Sequence, residues 1–210
     1  MDTNIEKIVS EVVKRIKEKE SDHSFEIEAS ARHVHLSQKD LESLFGKGFE
    51  LTKAKDLSQP GQFASGQRIA VIGPKGMFSN VIILGPTRNS SQVELSLTDL
   101  RSIGLNAPVR ESGDINGTPG VTLMNGENVV HLEKGLIAAK RHIHMTPEDA
   151  EKFGVVNEEI VKVKACGVRP LIFDDVVIRV SKDFATYMHI DTDEANACGF
   201  TRGMRGEIVK

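Results

Sequence analysis

The chain has few of the residues that mark several common classes of protein. Tryptophan is absent, aromatic residues make up 5%, and the two cysteines, Cys166 and Cys198, have no metal-binding or redox spacing. The net charge of −3 gives no reason to expect nucleic acid or an anionic membrane as a partner. No apolar run approaches the ~20 residues that span a bilayer, and no signal peptide is visible. We therefore expect a reduced, cytoplasmic setting and a core built on Val, Ile and Leu.

Familiar catalytic signatures are missing as well. The sequence contains no Walker loop, no dinucleotide-binding glycine motif, no nucleophile elbow and no Cys/His nucleophile pattern. A covalent acyl-enzyme therefore has no evident nucleophile. A direct displacement assisted by metal ions is easier to build from the residues that are present.

What the chain does contain is a short motif that occurs twice. Residues 32–37 read RHVHLS and residues 141–146 read RHIHMT, so the copies are 109 residues apart (141 − 32 = 109) and hold four of the seven histidines. Asp40 and Asp149 follow the two copies at the same distance. On a β-strand, residues i and i+2 point to the same side, so each motif would present two imidazoles to one face. Paired imidazoles are typical ligands of zinc and other late first-row metals.

Each histidine pair needs a third ligand to complete a zinc-type shell. The first half offers Glu94, on the polar face of a strand predicted over 93–97 with Leu97 on its apolar face, and the second half offers His189 in a strand predicted over 187–190. The two metal sites predicted in this way are His33, His35 and Glu94, and His142, His144 and His189. The third ligands follow the first histidines by unequal intervals (94 − 33 = 61 and 189 − 142 = 47), which predicts that they are not equivalent.

Three arginines accompany these motifs. Arg88 lies in a tight turn, just before the strand that carries Glu94. A guanidinium on a rigid loop beside a metal suits phosphate or a developing oxyanion, whereas the alternative is an ordinary exposed loop residue. Arg32 and Arg141 either pair with local carboxylates or help to hold anions.

The hydrophobic pattern predicts a mainly β chain with short helices. Apolar residues at helical spacing predict an amphipathic helix over residues 1–20, which either packs on its own globule or binds a partner surface. Closely spaced strands separated by glycine turns favour a barrel or sandwich. The short helices are predicted over 38–45, 97–103, 147–153 and 193–198, the last capped by Thr192, and the strands over 25–29, 69–72, 81–84, 93–97, 121–123, 129–130, 160–164, 176–180 and 187–190.

Six segments together carry a resemblance to a known family. They are SARHVHLS (30–37), GPTR (85–88), VELS (93–96), APVR (107–110), KRHIHM (140–145) and HIDTDEAN (189–196). In this order they closely resemble the PduL-type phosphate acyltransferases, which are phosphate propanoyltransferases, and the resemblance covers nearly the whole chain after residue 22.

The resemblance implies reversible transfer of a short acyl group, propanoyl or acetyl, between coenzyme A and phosphate at a dimetal zinc site. It maps the zinc ligands onto the same two groups of three residues, called the first triad (His33, His35 and Glu94) and the second triad (His142, His144 and His189), and it maps the essential arginine onto Arg88. It implies two small interleaved β-barrels capped by short α-helices, with the metals in the cleft between them. The first barrel would hold residues 22–31 plus 140–210, the second residues 32–139, and residues 1–21 would form the separate N-terminal helix.

The resemblance also sets expectations about partners and location. Acyl-CoA, CoA, phosphate and acyl phosphate would be the small-molecule partners, and the protein would be a homodimer. Residues 1–20 are similar in kind to helices that direct relatives into a bacterial microcompartment through a shell protein, and a cytoplasmic enzyme is the alternative. The native metal could be another divalent ion, because imidazole ligands discriminate poorly. Two other classes stay open from the residues alone: a dimetal hydrolase of acyl-CoA or another ester, and a non-catalytic zinc-binding barrel protein.

Overall fold

A computed structural model describes residues 23–209 of the chain, which form a mainly β structure with short helices. The helix predicted over residues 1–20 lies outside the described residues. The strands are β1 Ser24–Ser30, β2 His33–His35, β3 Lys53–Asp56, β4 Phe63–Gly73, β5 Gly76–Gly85, β6 Gln92–Glu94, β7 Val109–Arg110, β8 Val121–Asn125, β9 Asn128–Leu132, β10 Leu136–Ala139, β11 His142–Met145, β12 Ile160–Cys166, β13 Leu171–Val180, β14 Tyr187–Asp191 and β15 Arg205–Val209. The helices are α1 Gln38–Phe45, α2 Leu97–Ser102, α3 Pro147–Phe153 and α4 Thr192–Cys198.

One sheet closes into a barrel and the other stays open. The barrel has the strand order β1-β14-β11-β13-β12-β15, and β12 alternates strictly between exposed and buried residues, as a one-sided barrel wall requires. The second sheet has the order β7-β10-β6-β2-β5-β4-β8-β9, with β3 paired to β4. The mainly β fold is thus confirmed, with a half-barrel in place of a second closed one. The second sheet stays open because β7, only two exposed residues long, and β9 end the order without pairing to each other.

Each sheet encloses its own apolar core. Ile27, Ile143 and Ile178 are fully buried in the barrel, and Val34 and Ile83 are fully buried against the open sheet. Burying a side chain of this size stabilises the fold by roughly 1.5–3 kcal/mol. The barrel and the open sheet are therefore each stabilised by a core of their own. No helix in residues 23–209 is both long enough and apolar enough to cross a membrane.

The two His-x-His motifs lie on equivalent strands. β2 runs parallel to β5 and antiparallel to β6, and β11 runs parallel to β13 and antiparallel to β14. The strand before each motif belongs to the other sheet, because β1 pairs with β14 and β10 pairs with β6. The chain therefore crosses between the sheets directly before each motif, at 31–32 and at 140–141.

Helix caps fix the chain direction after each motif. The Ser37 and Thr146 side chains accept hydrogen bonds from the backbone N–H groups of Asp40 and Asp149, as N-caps do. The predicted cap at Thr192 is wrong. Asp191 caps α4 in a capping box with Glu194, because its carboxylate reaches the N–H three residues on.

The predicted strand over 93–97 is too long. β6 ends at Glu94, because the Ser96 side chain accepts from the Asp99 N–H and begins α2 at Leu97. Leu97 is accordingly 37% exposed and is not part of an apolar strand face. The same helix ends at Ser102 with Ile103 as its C-cap, one residue earlier than predicted.

Candidate metal centre

The first candidate metal group consists of His33, His35 and Glu94, all of them buried. His33 and Glu94 face each other across β2 and β6 in antiparallel register. The distance from His33 Nε2 to Glu94 Oε2 is 3.3 Å, and that from His35 Nε2 to Glu94 Oε1 is 3.8 Å. One potential ligand atom from each residue lies within 4.8 Å of the others, which is the spacing that a single metal ion needs.

The second candidate group consists of His142, His144 and His189. His142 and His189 face each other across β11 and β14 in antiparallel register. The ring centroids are 4.6 Å apart for His142 and His144, 5.2 Å for His142 and His189, and 5.0 Å for His144 and His189. These three residues also offer ligand atoms within 4.8 Å of one another.

The register corrects the prediction that the third ligands are not equivalent. Glu94 and His189 occupy the same position, directly across from the first histidine of each motif. The motifs are 109 residues apart (142 − 33) while the third ligands are 95 apart (189 − 94), because the intervening loops differ in length. The two groups therefore differ in the chemistry of the third ligand and not in its place.

Hydrogen bonds show which ring nitrogens are available for a metal. His33 Nδ1 lies 2.8 Å from the Ala31 carbonyl and His142 Nδ1 lies 2.8 Å from the Lys140 carbonyl. A carbonyl only accepts, so Nδ1 carries a proton in both residues and Nε2 is the nitrogen left to bind a metal, in His33 after it gives up its proton. His144 Nδ1 is buried and has no hydrogen-bond partner among residues 23–209, a state that a bound metal would relieve. The donor set therefore fits two zinc ions.

The charge states of these side chains suit metal binding. Burial, and next the charge on His142, lowers the pKa of His144 to about 2 and that of His189 to about 3. Burial also lowers the pKa of His142, and that of His35 well below its ordinary value. Burial alone would raise the pKa of Glu94, but the charge and hydrogen bond of His33 hold it well below its ordinary value. Burial alone would lower the pKa of His33, but the charge and hydrogen bond of Glu94 raise it above its ordinary value. At neutral pH the other four imidazoles are thus neutral and Glu94 is ionised, which are the forms that bind metal, and metal binding at His33 would displace a proton from Nε2.

Side chains behind Glu94 hold it in place and connect it to Arg88. Glu94 Oε1 accepts from Gln92 Nε2 at 2.6 Å and from Ser112 Oγ at 2.9 Å, and Arg88 Nη1 donates to Ser112 Oγ at 3.1 Å. The backbone N–H of Arg88 also donates to the Leu36 carbonyl, which fixes the loop beside β2. Sequence reasoning missed Gln92, although its i−2 spacing from Glu94 placed it on the same strand face. Ser112 lies in an irregular loop and gave no signal.

Arg32 and Arg141 pair with carboxylates that are distant in sequence. Arg32 donates to both oxygens of Asp99 at 2.9 and 3.0 Å, and Arg141 Nη1 donates to Glu194 Oε1 at 2.7 Å. Asp99 and Glu194 each occupy the third position of the helix that follows the third ligand. The repeated arginine thus ties each crossing between the sheets to the helix that follows the strand carrying the third ligand.

Both groups and Arg88 face one cavity of about 950 Å³ between the two sheets. This volume lies within the usual range of small-molecule sites. Its lining includes His33, His35, Arg88, Glu94, Ser112, His142, His144, Arg179 and His189. The structure therefore brings all seven predicted site residues to one place, and it adds Arg179, which sequence reasoning did not single out.

The fold and this cavity define a class: a mainly β enzyme with two groups of three potential metal ligands and an arginine beside them. A model of the phosphate propanoyltransferase family matches residues 26–201. The chain is 65% identical over 207 residues to a phosphate propanoyltransferase of Enterococcus faecalis (99% of this chain, 98% of the relative). It is 60% identical over 211 residues to one of Leptotrichia buccalis (100% of both) and 62% identical over 185 residues to one of Listeria monocytogenes (88% and 87%). The chain belongs to the phosphate propanoyltransferase family, which confirms the resemblance inferred from its motifs.

Proposed function

We propose that this protein transfers a propanoyl or other short acyl group reversibly between coenzyme A and phosphate: acyl-CoA + phosphate ⇌ acyl phosphate + CoA. The observation that carries the proposal is that two triads of potential metal ligands and Arg88 line one cavity. The names of the 46–65% identical relatives support the same reaction.

Each triad would hold one zinc ion, or another divalent ion in practice. His33, His35 and Glu94 would bind one ion, and His142, His144 and His189 the other. Bound metal would supply positive charge that fixes phosphate and stabilises negative charge on oxygen. The hydrogen bonds from His33 and His142 to backbone carbonyls hold these imidazoles in the orientation and tautomer that a ligand requires.

In the forward direction a phosphate oxygen attacks the thioester carbonyl carbon. The new C–O bond forms as the carbonyl π electrons move to oxygen, and the C–S bond then breaks to release CoA as a thiolate. Arg88 would donate to the developing oxyanion, because its guanidinium is held beside the first triad through Ser112. No covalent acyl-enzyme is required, which agrees with the absence of a recognisable nucleophile.

One assay tests the proposal against its two alternatives. Thiol release from propanoyl-CoA and acetyl-CoA is measured with and without phosphate, before and after chelation. We expect release that requires both phosphate and metal. Release without phosphate would instead indicate a hydrolase, and binding of zinc without any release would indicate a binding protein.

Arg88→Ala tests the arginine within the same assay. Its kcat should fall on the order of 10²-fold or more, by analogy with the loss of an oxyanion donor. Arg88→Lys keeps the charge but not the planar fork, so it should recover only part of the loss. Near-normal turnover of Arg88→Ala would remove this residue from the mechanism.

The proposal extends to organisation and location. We propose two domains, residues 22–31 with 140–210 and residues 32–139, and a homodimer that sedimentation of the full chain would test. Residues 1–20 would direct the enzyme into a bacterial microcompartment through a shell protein. If a chain lacking residues 1–20 is still encapsulated beside a shell, residues 1–20 are not the targeting segment.

A further inference from the structure

Arg179 lines the same cavity as Arg88. It lies on β13, in parallel register with His144 on β11. Register partners on neighbouring strands point to the same face of a sheet. Ile143 and Ile178, the preceding residues on each strand, are fully buried in the barrel core on the opposite face. Arg179 therefore projects from the barrel wall into the cavity, beside the second triad.

The charge of Arg179 is not neutralised by this part of the protein. Between residues 23 and 209, no carboxylate forms a salt bridge with Arg179 and no side chain accepts a hydrogen bond from it, whereas Arg32 and Arg141 both have carboxylate partners. Its closest aromatic contact is Phe184, whose ring centroid lies 6.0 Å from the guanidinium carbon and 4.1 Å from the ring of His144. Phe184 thus lies against both residues without supplying a counter-charge.

Arg88 approaches the same cavity from the open sheet. Burial lowers the pKa of Arg88, the charge on Glu94 opposes this, and the charge on Arg179 lowers it further. Two guanidiniums that repel each other across a cavity are both stabilised when an anion binds between them. A phosphate dianion offers several oxygens to two planar donor forks at once.

We propose that Arg179 is a substrate-binding residue that, together with Arg88, binds the reacting phosphate or the phosphoryl end of acyl phosphate. This rests on the proposed function. Coenzyme A also carries phosphates, but its pantetheine chain holds them far from the reacting sulfur. Arg179 lies next to His144, in the part of the cavity where the reacting groups would meet.

The test is steady-state kinetics of Arg179→Met in the zinc-loaded enzyme, in both directions. Loss of a charged hydrogen-bonding partner should raise the KM for phosphate and for acyl phosphate by about tenfold to a hundredfold. The KM for acyl-CoA should stay within about twofold of wild type. Arg179→Lys, which keeps the charge, should give an intermediate KM for phosphate. Arg101→Met, at an exposed arginine of α2, is the matched control and should change neither constant.

Direct titration of the zinc-loaded proteins with inorganic phosphate gives a readout without turnover. Wild type should bind phosphate, and both Arg179 variants should bind it more weakly, while thermal melting checks that each variant is folded. A raised KM for acyl-CoA with an unchanged KM for phosphate would assign Arg179 to the phosphates of coenzyme A and overturn the proposal. A fall in kcat with unchanged phosphate binding would overturn it too. If wild type shows no phosphate-dependent thiol release, the proposed function fails, and the titration still decides whether Arg179 binds phosphate.

Discussion

The two partly buried arginine–carboxylate pairs give the sharpest prediction about stability. Asp99 is 8% exposed and accepts two hydrogen bonds from Arg32, whose own side chain is 41% exposed. Removing one partner of a buried pair costs about 3–5 kcal/mol, whereas an exposed pair contributes about 0–1 kcal/mol. Solvent reaches the half-exposed arginine and screens the ion pair, so Arg32→Met should lower the free energy of unfolding by about 1–2 kcal/mol, between these two limits. Methionine keeps an apolar contact with Phe78, over which the guanidinium lies at 4.0 Å.

The equivalent pair in the other half should behave alike. Arg141 is 30% exposed and Glu194 18% exposed, so Arg141→Met should also cost about 1–2 kcal/mol. The matched control is the pair Lys53 and Asp56, which has the same 2.9 Å separation as Arg32 and Asp99 but side chains 56% and 74% exposed. Lys53→Met should leave stability nearly unchanged, because burial and not distance decides the strength of an ion pair.

Double-mutant cycles in urea, with chelator present so that metal binding does not contribute, isolate each pair. The cycle of Arg32→Met with Asp99→Asn should give a coupling free energy of about 1 kcal/mol, and the Lys53 cycle a value near zero. Coupling that is no larger for Arg32 than for Lys53 would refute the view that these arginines fasten the strand crossings to the helices.

Three further predictions concern metal binding, pH and backbone strain. Glu94→Gln removes the anionic ligand of the first triad, so the metal-to-protein ratio measured after dialysis should fall by about one equivalent. In the chelated protein, burial lowers the pKa of His144 to about 2 and of His189 to about 3. These histidines bind a proton near pH 6.5 in the unfolded chain but not in the folded one, so lowering the pH through this value favours the unfolded chain. The free energy of unfolding should therefore fall by about 2 kcal/mol per histidine as the pH is lowered from about 7.5 to about 5. Urea unfolding across this range should show the fall, and His189→Asn should reduce it by about one histidine's share. Gly135→Ala should lower the melting temperature more than Gly113→Ala, because both have positive φ but only the Cβ at 135 meets a backbone oxygen, at 2.6 Å.

Local rules explain why much of the site could be predicted. The period of two in a strand placed His33 with His35 and His142 with His144, and the register of the strands bears this geometry out. Helix caps at Ser37 and Thr146 follow from side-chain chemistry within four residues. These features need no knowledge of distant contacts.

The remaining features depend on contacts between distant residues. Arg32 and Asp99 are 67 residues apart, and Ser112 reaches Glu94 from an irregular loop. Arg179 was missed because the strand that carries it was predicted from its apolar residues alone. Only its pairing with His144 on the neighbouring strand shows that Arg179 faces the cavity. The register between two strands cannot be read from their separation in sequence when the loops that connect them differ in length. For this reason the third ligands were wrongly predicted to be non-equivalent.

The residues beside the two third ligands differ between the triads, as the third ligands themselves do. Glu28 on β1 is the register partner of His189, and Ile137 on β10 is the register partner of Glu94, at the same offset as the motifs (137 − 28 = 109). Glu28 Oε2 lies 3.8 Å from His189 Nδ1, which is longer than a hydrogen bond but brings a carboxylate next to this imidazole. A carboxylate beside Glu94 would instead bring two like charges together in a buried place, and the fully buried Ile137 avoids this. The change from glutamate to histidine at the third ligand is therefore accompanied by a change from isoleucine to glutamate at its register partner, so each triad has one carboxylate in it or beside it.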